Sequence, residues 1–355
     1  MRSKVRVALI GLGRMGHIHA GNLAARCRTA ELAVVADADP GLAAAAGAEF
    51  DVPWTADVEE VLGDASVEAV AVATPTATHG DLAVRAARAG KHVFCEKPIA
   101  LDRPATVRTV EAVAATGVKF QVGFHRRYDP DWVAATRRIH AGEMGEPYLF
   151  RTSLRDMRPP PVAYLAGSGG FFVDMTIHDL DTARWMVGEV VEVSSYGSAI
   201  ADPEIGAIGD IDTALVVLRF ESGALGVIDN SRAAGYGYEC STEVVGALAT
   251  ARIDRPQYRH YQWLTPGGAT YGINRDFEER YPLAYAEEME AFARCVRDDT
   301  APAVTGLDAL AAFDLATAAD LSWRSGRTVP VTPERRDDGV VYAFEGQVTD
   351  RPSTA

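Results

Sequence analysis

Lysine is scarce in this chain. Of its 35 basic residues only Lys4, Lys91, Lys97 and Lys119 are lysines, and the other 31 are arginines. Arg cannot release a proton near neutral pH, so a position that keeps Lys against such a background is a candidate for proton chemistry. Cysteine is also sparse. Cys27, Cys95, Cys240 and Cys295 contain no CxxC pair, which fits buried free thiols in a reducing cytoplasm. Positive charge is in deficit: 35 − 49 gives −14, with pI ≈ 5.1. A chain of that sign repels phosphate backbones, so nucleic acid is not an expected partner. No apolar run approaches the ~20 residues of a membrane span, so no membrane association is expected. The first run, Val5–Ile10, is short and lacks a small-residue cleavage site, so it reads as a first strand rather than a leader.

What is present suffices for two folded bodies. With 48% hydrophobic and 24% charged residues the chain has an ordinary globular composition. At roughly 150 residues per domain its length suggests two domains. Residues 1 to about 123 alternate short apolar runs (Val5–Ile10, Glu31–Ala36, Ala69–Ala73, His92–Cys95, Lys119–Val122) with Ala-rich helical stretches such as His79–Ala89 and Arg103–Ala115. That alternation predicts βαβ units in a doubly wound α/β Rossmann domain with a parallel sheet. After Gly123 the pattern changes. Strands are expected at Tyr148–Leu154, Val190–Gly197, Thr213–Phe220, Ala224–Ser231 and Glu239–Val245, with a hairpin turn at Glu221-Ser222-Gly223. Helices are expected at about Val173–Met186, Ala284–Arg297 and Leu307–Ser325. Residues 124–333 therefore read as an α+β domain with a largely antiparallel sheet. Residues 334–355 read as a tail whose last ten residues are disordered.

Gly11-Leu12-Gly13-Arg14-Met15-Gly16 directly follows the first strand. A lone GxGxxG is weak, but here it sits in the strand–turn–helix context that a dinucleotide requires. The glycines allow a tight turn and a close approach to pyrophosphate, and the helix start offers free N–H groups. Asp37 ends the second strand, where a carboxylate accepts from ribose hydroxyls and repels a 2′-phosphate. Ala38-Asp39-Pro40 follow with no Arg, so NAD is expected over NADP. A glycine turn with no nucleotide is the bland alternative. His17 and His19, two residues apart on the next helix, point to different faces and read as surface or packing groups rather than metal ligands.

Two further clusters could carry chemistry. Phe94-Cys95-Glu96-Lys97-Pro98 ends a parallel strand, the edge where doubly wound folds place ligands. Partial desolvation there would lower the pKa of Lys97 and suit it to proton relay; a surface lysine beside a turn proline fits the sequence equally well. In the second cluster, a helix from Asp174 would put Asp174, His178 and Asp181 on one stripe, with Met175, Leu180, Ala183 and Met186 free to pack. An imidazole beside carboxylates suits general-base work. A solvated helix face is the alternative, and one His with two Asp is too little for a metal site.

These motifs together resemble the Gfo/Idh/MocA family of NAD(P)-dependent oxidoreductases over roughly residues 4 to 332. Besides the GxGxxG, the resemblance rests on Ala73-Thr74-Pro75-Thr76 with His79, Gly90-Lys91-His92-Val93 leading into Glu96-Lys97-Pro98, Gly123–Pro130, and the Asp174…His178 helix. Inositol 2-dehydrogenases are the most similar branch. The resemblance implies that Lys97 is the catalytic lysine, that Asp174 orients substrate, and that His178 takes the hydroxyl proton. It also implies that Thr74, Pro75, Thr76, His79 and Glu96 line NAD, while His125, Arg126, Asp181, Tyr236, Tyr238 and Tyr285 fall where polyol hydroxyls bind. A trans-to-cis change at Lys97–Pro98 and homo-oligomers, dimers or tetramers built through open sheet faces, are implied as well. The expected reaction is oxidation of a secondary hydroxyl of a cyclic polyol, myo-inositol or a stereoisomer, to the ketone. Alternatives are the same reaction on a monosaccharide or an aminocyclitol, bond cleavage through transient oxidation, and, from another class, a non-catalytic NAD sensor. His125, Thr76 and the Arg155–Pro159 loop depart from the usual inositol-type wording and bear on which substrate is taken.

Overall fold

The computed structural model describes residues 3–254, 257 and 261–347. They fall into two compact units. One runs to Asp129 and also takes in Leu283–Leu310; the other comprises Pro130–Pro282 and Ala311–Gln347.

The first unit begins β1 (Val5–Ile10), α1 (Arg14–Ala25), β2 (Ala30–Ala36), α2 (Pro40–Phe50), β3 (Trp54–Thr55), α3 (Val58–Gly63), β4 (Ala69–Val72), α4 (Thr76–Arg88), β5 (His92–Glu96), α5 (Arg103–Ala114) and β6 (Phe120–Gly123). The strands pair in parallel in the order β3-β2-β1-β4-β5-β6. β4 and β6 are buried along their whole length, and β4 accordingly reads as an unbroken apolar run. The strand order reverses between β1 and β4, and that is where such sheets bind ligands. Helices α2, α3 and α5 start on Asp39, Asp57 and Asp102, whose carboxylates accept first-turn N–H groups. α1 and α4 start on Gly13 and Pro75, with no side-chain cap. The two uncapped helix starts thus flank the reversal.

The second unit holds α6 (Pro130–His140), β7 (Pro147–Arg155), α7 (Val162–Leu165), a π-helical turn (Phe172–Thr176), α8 (Ile177–Val187), β8 (Val190–Ser198), α9 (Pro203–Ala207), β9 (Thr213–Phe220), β10 (Leu225–Ser231), β11 (Glu239–Gly246) and β12 (Thr250–Asp254). A small hairpin, β13 (Trp263–Thr265) and β14 (Gly268–Thr270), and α10 (Phe277–Arg280) follow. The main sheet has the order β12-β11-β7-β10-β9-β8-β15, the last strand being the short Val329–Pro330. It is antiparallel except for the pair β7/β10. β9 alternates strictly: Ala214, Val216, Leu218 and Phe220 are buried, while Leu215, Val217 and Arg219 face outward. α8 packs on β7, and Asp179 accepts from Thr152 Oγ1 of β7 (3.0 Å) and Asn230 Nδ2 of β10 (2.9 Å).

After α10 come α11 (Pro282–Asp298), α12 (Gly306–Ser325), β15 (Val329–Pro330), β16 (Thr332–Arg336) and β17 (Gly339–Ala343). Met289, Phe292 and Ala293 of α11 join the core of the first sheet beside Val7, Leu9, Ala71 and Phe94. Burying that apolar stripe draws the chain back into the first unit. The tail expected from Glu334 carries most of the β16/β17 hairpin. Val341 and Tyr342 within it are fully buried, and the Tyr342 N–H donates to Asp314 Oδ2 at 3.0 Å. Residues 348–355, most of the end expected to be disordered, lie outside the described residues. All four cysteines are buried and free, as their spacing suggested. Burial pushes the Cys27 thiol up to about 12 and Cys95 higher still. Among the described residues no helix is long and apolar enough to cross a membrane.

Candidate active site

The glycine loop is built from backbone. Gly11 has φ +93°, and a Cβ on it would lie 2.7 Å from Ala73 and Thr74. A Cβ on Gly16 would meet the Gly11 carbonyl oxygen at 1.8 Å. These two glycines are required by the turn itself. Gly13 differs: nothing lies within 4 Å of its would-be Cβ. It caps α1, whose first turn has no side-chain cap and no acidic residue. Open space beside Gly13 at a helix start without a side-chain cap fits a pyrophosphate. Leu12 is buried in the turn, while Arg14 is exposed and Met15 half-buried.

Asp37 stands at the end of β2, half-buried. Its Oδ2 accepts the Leu12 N–H at 2.7 Å and its Oδ1 the Asp39 N–H at 2.9 Å. The carboxylate is therefore fixed in direction against the glycine loop, as a ribose-binding carboxylate has to be.

After β4, Thr74, Pro75 and Thr76 lead into α4. The Thr78 hydroxyl donates to Thr74 Oγ1 at 2.7 Å. His79 is 2% exposed, and its ring bridges two backbone carbonyls, Thr74 O at 2.7 Å and Pro98 O at 2.8 Å. That bridge ties the loop after β4 to the turn after β5. Lys97 is half-buried in that turn and its bond to Pro98 is cis. The Lys97 N–H donates to Glu96 Oε2 at 3.2 Å, and His19 Nε2 lies 2.7 Å from Glu96 Oε1. Glu96 thus faces inward, toward α1.

His125 and Arg126 lie in a short 3-10 turn (His125–Tyr128) after β6, both buried. The His125 ring packs on Tyr285, with centroids 4.8 Å apart. These residues, the glycine loop and Lys97 all belong to the first unit.

The second unit carries Asp174 and His178. The π-helical turn ends between them and α8 begins. Asp174 Oδ2 lies 3.0 Å from Arg232 Nη2, and its Oδ1 accepts the Tyr164 hydroxyl at 3.1 Å. Arg232 is 1% exposed and lies over the Phe171 ring, 5.2 Å from its centroid. With both oxygens held, Asp174 is an oriented acceptor. His178 and Asp174 are both half-buried, while Asp181 is buried. The expected stripe of three polar groups is therefore two groups wide: the π turn ends between Asp174 and His178, and the turn of α8 that carries Asp181 is buried. Met175, Leu180, Ala183 and Met186 pack as their positions suggested. Tyr236 and Tyr238 part company across Gly237, which has φ +147°. Tyr236 is half-exposed, with its hydroxyl on Glu239 and within 3.4 Å of Arg155; Tyr238 is buried, edge-on to Tyr281.

Sequence reasoning missed Arg232, Tyr164 and His19. The first two meet Asp174 only through tertiary packing, and nothing in their local wording marks them. His19 had a visible signal, a histidine on the apolar face of α1, which read as packing.

Residues 5–124 match the family described as "Oxidoreductase family, NAD-binding Rossmann fold", and residues 132–252 match the "GFO/IDH/MocA C-terminal domain". The chain is 39% identical over 342 residues to a scyllo-inositol 2-dehydrogenase (NAD(+)) of Bacillus subtilis, covering 96% of this chain and all of the relative. It is 40% identical to a myo-inositol 2-dehydrogenase of Thermotoga maritima, covering 92% of this chain and 98% of the relative. A solved structure of scyllo-inositol dehydrogenase from Lactobacillus casei, with bound NAD(H) and scyllo-inositol, superposes with a TM-score of 0.86 at 29% identity, covering 92% and 99% of the two chains. The parallel sheet, the glycine loop with its fixed Asp37, and these matches along nearly the whole chain agree: the protein belongs to the Gfo/Idh/MocA family of NAD-binding oxidoreductases.

Proposed function

We propose that the protein is an NAD-dependent dehydrogenase that oxidises a secondary hydroxyl of a cyclic polyol, with myo-inositol or a stereoisomer as substrate. The single observation that carries this is the near-complete match to inositol dehydrogenases by a chain that keeps Lys97, Asp174 and His178. Retaining all three argues against a sensor that merely binds NAD.

NAD, when bound, supplies the hydride acceptor. The Gly11–Gly16 loop would hold its pyrophosphate and Asp37 its adenosine ribose. Thr74, Pro75 and Thr76 would line it, with His79 and Glu96 fixing the loops from behind. Negative charge would develop on the substrate oxygen as its proton is taken, and that charge would drive the hydride from the carbon. Lys97 would stabilise that charge and His178 would accept the hydroxyl proton, each a contribution of ~10²–10⁴-fold in rate. Asp174, held by Arg232 and Tyr164, would take a hydrogen bond from a neighbouring hydroxyl and so set which carbon faces the nicotinamide. His125, Arg126, Asp181, Tyr236, Tyr238 and Tyr285 are the remaining candidates for substrate hydroxyls.

The outward face of the second sheet supports a homo-oligomer. Tyr196, Leu215, Val217 and Leu225 share that face through the β8/β9/β10 register and are 44–73% exposed. Apolar side chains gathered on one sheet face fit a second copy of the chain, in a dimer or tetramer.

The test is NADH formation from NAD with a panel of inositol isomers, monosaccharides and aminocyclitols. Turnover of an inositol at least tenfold faster than of any sugar or amino-polyol supports the reading. Turnover only of a sugar or aminocyclitol keeps the reaction and replaces the substrate. NAD binding with no turnover of any polyol would sink it.

A further inference from the structure

Behind Lys97, three titratable side chains from three elements meet in the core of the first unit. His19 of α1 and Glu288 of α11 are 0% exposed, and Glu96 of β5 is 8% exposed. One ligand-type atom from each lies within 4.8 Å of the other two. Glu96 is well supplied with donors: His19 Nε2 on Oε1 at 2.7 Å and the Lys97 N–H on Oε2 at 3.2 Å. Gly123 adds a wall, since a Cβ there would lie 3.0 Å from the same carboxylate. Among the described residues no donor reaches either carboxyl oxygen of Glu288, and its carbonyl oxygen, not its carboxyl, receives the Gln121 side chain at 3.0 Å.

A fully buried carboxylate with no donor and no cation does not persist; it takes up a proton. A protonated carboxyl is an O–H donor, and Glu96 is the carboxylate in its cluster. We propose that Glu288 is a buried proton-bearing acid that donates to Glu96. On this account His19 from one side and Glu288 from the other clamp Glu96, and through it the backbone of Lys97. They are positioning residues, and their effect on rate rests on the role given to Lys97 above.

Burial, and then the neighbouring Glu96 carboxylate, push the Glu288 carboxyl well above the ordinary range. The other titratable groups around the cluster do not compensate it: burial also pushes up the Tyr128 hydroxyl and the Cys95 thiol, which leaves both neutral. Tyr285, edge-on to His19 at 5.9 Å, adds an apolar wall. A cation held by all three side chains is the rival arrangement. Two ligands bonded at about 2.1 Å to one tetrahedral ion sit roughly 3.4 Å apart. The His19–Glu96 separation of 2.7 Å is instead a charge-assisted hydrogen bond.

The test has one arm that needs no substrate. Infrared spectra of the whole protein at neutral pH should show the C=O band of a protonated carboxyl, and Glu288→Gln should remove it. A spectrum without that band, or one mole of tightly bound metal per chain in the purified protein, overturns the proposal. The second arm is kinetic. Glu288→Gln keeps a neutral donor and should hold kcat within ~twofold at neutral pH. Glu288→Ala and His19→Ala should lower kcat by ~tenfold or more with the NAD affinity unchanged, and His19→Gln, which restores a donor, should recover part of the loss. Glu288→Gln as damaged as Glu288→Ala would mean that the anion is the working form. Unchanged kcat in both alanine variants, with the band present, would remove the positioning role. No polyol turnover by the wild type would defeat the function proposed above, while the band still decides the state of Glu288.

Discussion

The two units make their working surfaces from different materials. The first presents backbone: a glycine turn, two helix starts without caps, and loops tied together through His79. The second presents side chains: a carboxylate pinned by a buried arginine and a tyrosine, and a half-buried imidazole four residues on. The sheets differ in the same sense. The first is parallel and buried through β4 and β6; the second is largely antiparallel, with one face outward along β9. A backbone site suits a ligand with a constant phosphate geometry. A side-chain site suits one whose hydroxyl stereochemistry must be discriminated, because single substitutions can retune it.

That contrast can be broken by mutation. The largest effect is expected at Lys97, the first-unit side chain proposed to stabilise charge on the substrate oxygen. Lys97→Met should lower kcat by ~10²–10⁴-fold while NAD still binds, measured by initial rates and by NADH fluorescence. Arg232→Ala should cost about 3–5 kcal/mol, because it removes the buried cation beside the Asp174 carboxylate and leaves a void; the check is the denaturant midpoint together with kcat/KM for the polyol. NAD affinity should survive that change, and its loss would blur the division of labour. Within the glycine loop two substitutions should separate. Gly16→Ala collides with the Gly11 carbonyl and should destabilise the fold by about 1–3 kcal/mol or more, whereas Gly13→Ala should melt like wild type and still weaken NAD by roughly tenfold. Equal Tm losses would contradict the reading of Gly13 as ligand space. Asp37→Ala should weaken NAD by about ten- to a hundredfold and narrow the preference over NADP, read as a Kd ratio.

The smallest effect concerns pH. The carboxyl of Glu288 is raised above its usual 4.5 in the folded protein, so the folded state holds a proton that the unfolded state releases. Stability attributable to this group is then full below about 4.5 and declines as pH rises toward the folded-state value. Glu288→Gln removes that decline, so the Tm of the variant relative to wild type should rise between pH 5 and pH 9. A constant difference would contradict it.

Much of this was legible in the sequence, for reasons tied to period and composition. Buried parallel strands left apolar runs, so β1, β4 and β5 could be placed within a residue or two. Strict alternation marked β9 to the residue. The glycine loop and Asp37 were readable because a phosphate-binding turn constrains a contiguous stretch of chain. What escaped depends on contacts between distant segments. The return of α11 to the first core, the parallel pair β7/β10 and the anchoring of Asp174 by Arg232 leave no local periodicity. The π turn was invisible because its residues read as ordinary helix, and the burial of Asp181, one turn beyond His178, follows from the packing of α8. Glu288 falls within the helix expected at Ala284–Arg297, and nothing in its local sequence marks it as buried.

The most direct test of the central claim is the initial rate of NADH formation from NAD and myo- or scyllo-inositol at mildly alkaline pH, with wild type and Lys97→Met side by side. Rapid turnover by the wild type and a loss of at least ~10²-fold in the variant at unchanged NAD affinity are expected. Comparable rates in both proteins, or none in either while NAD binds, would contradict that claim.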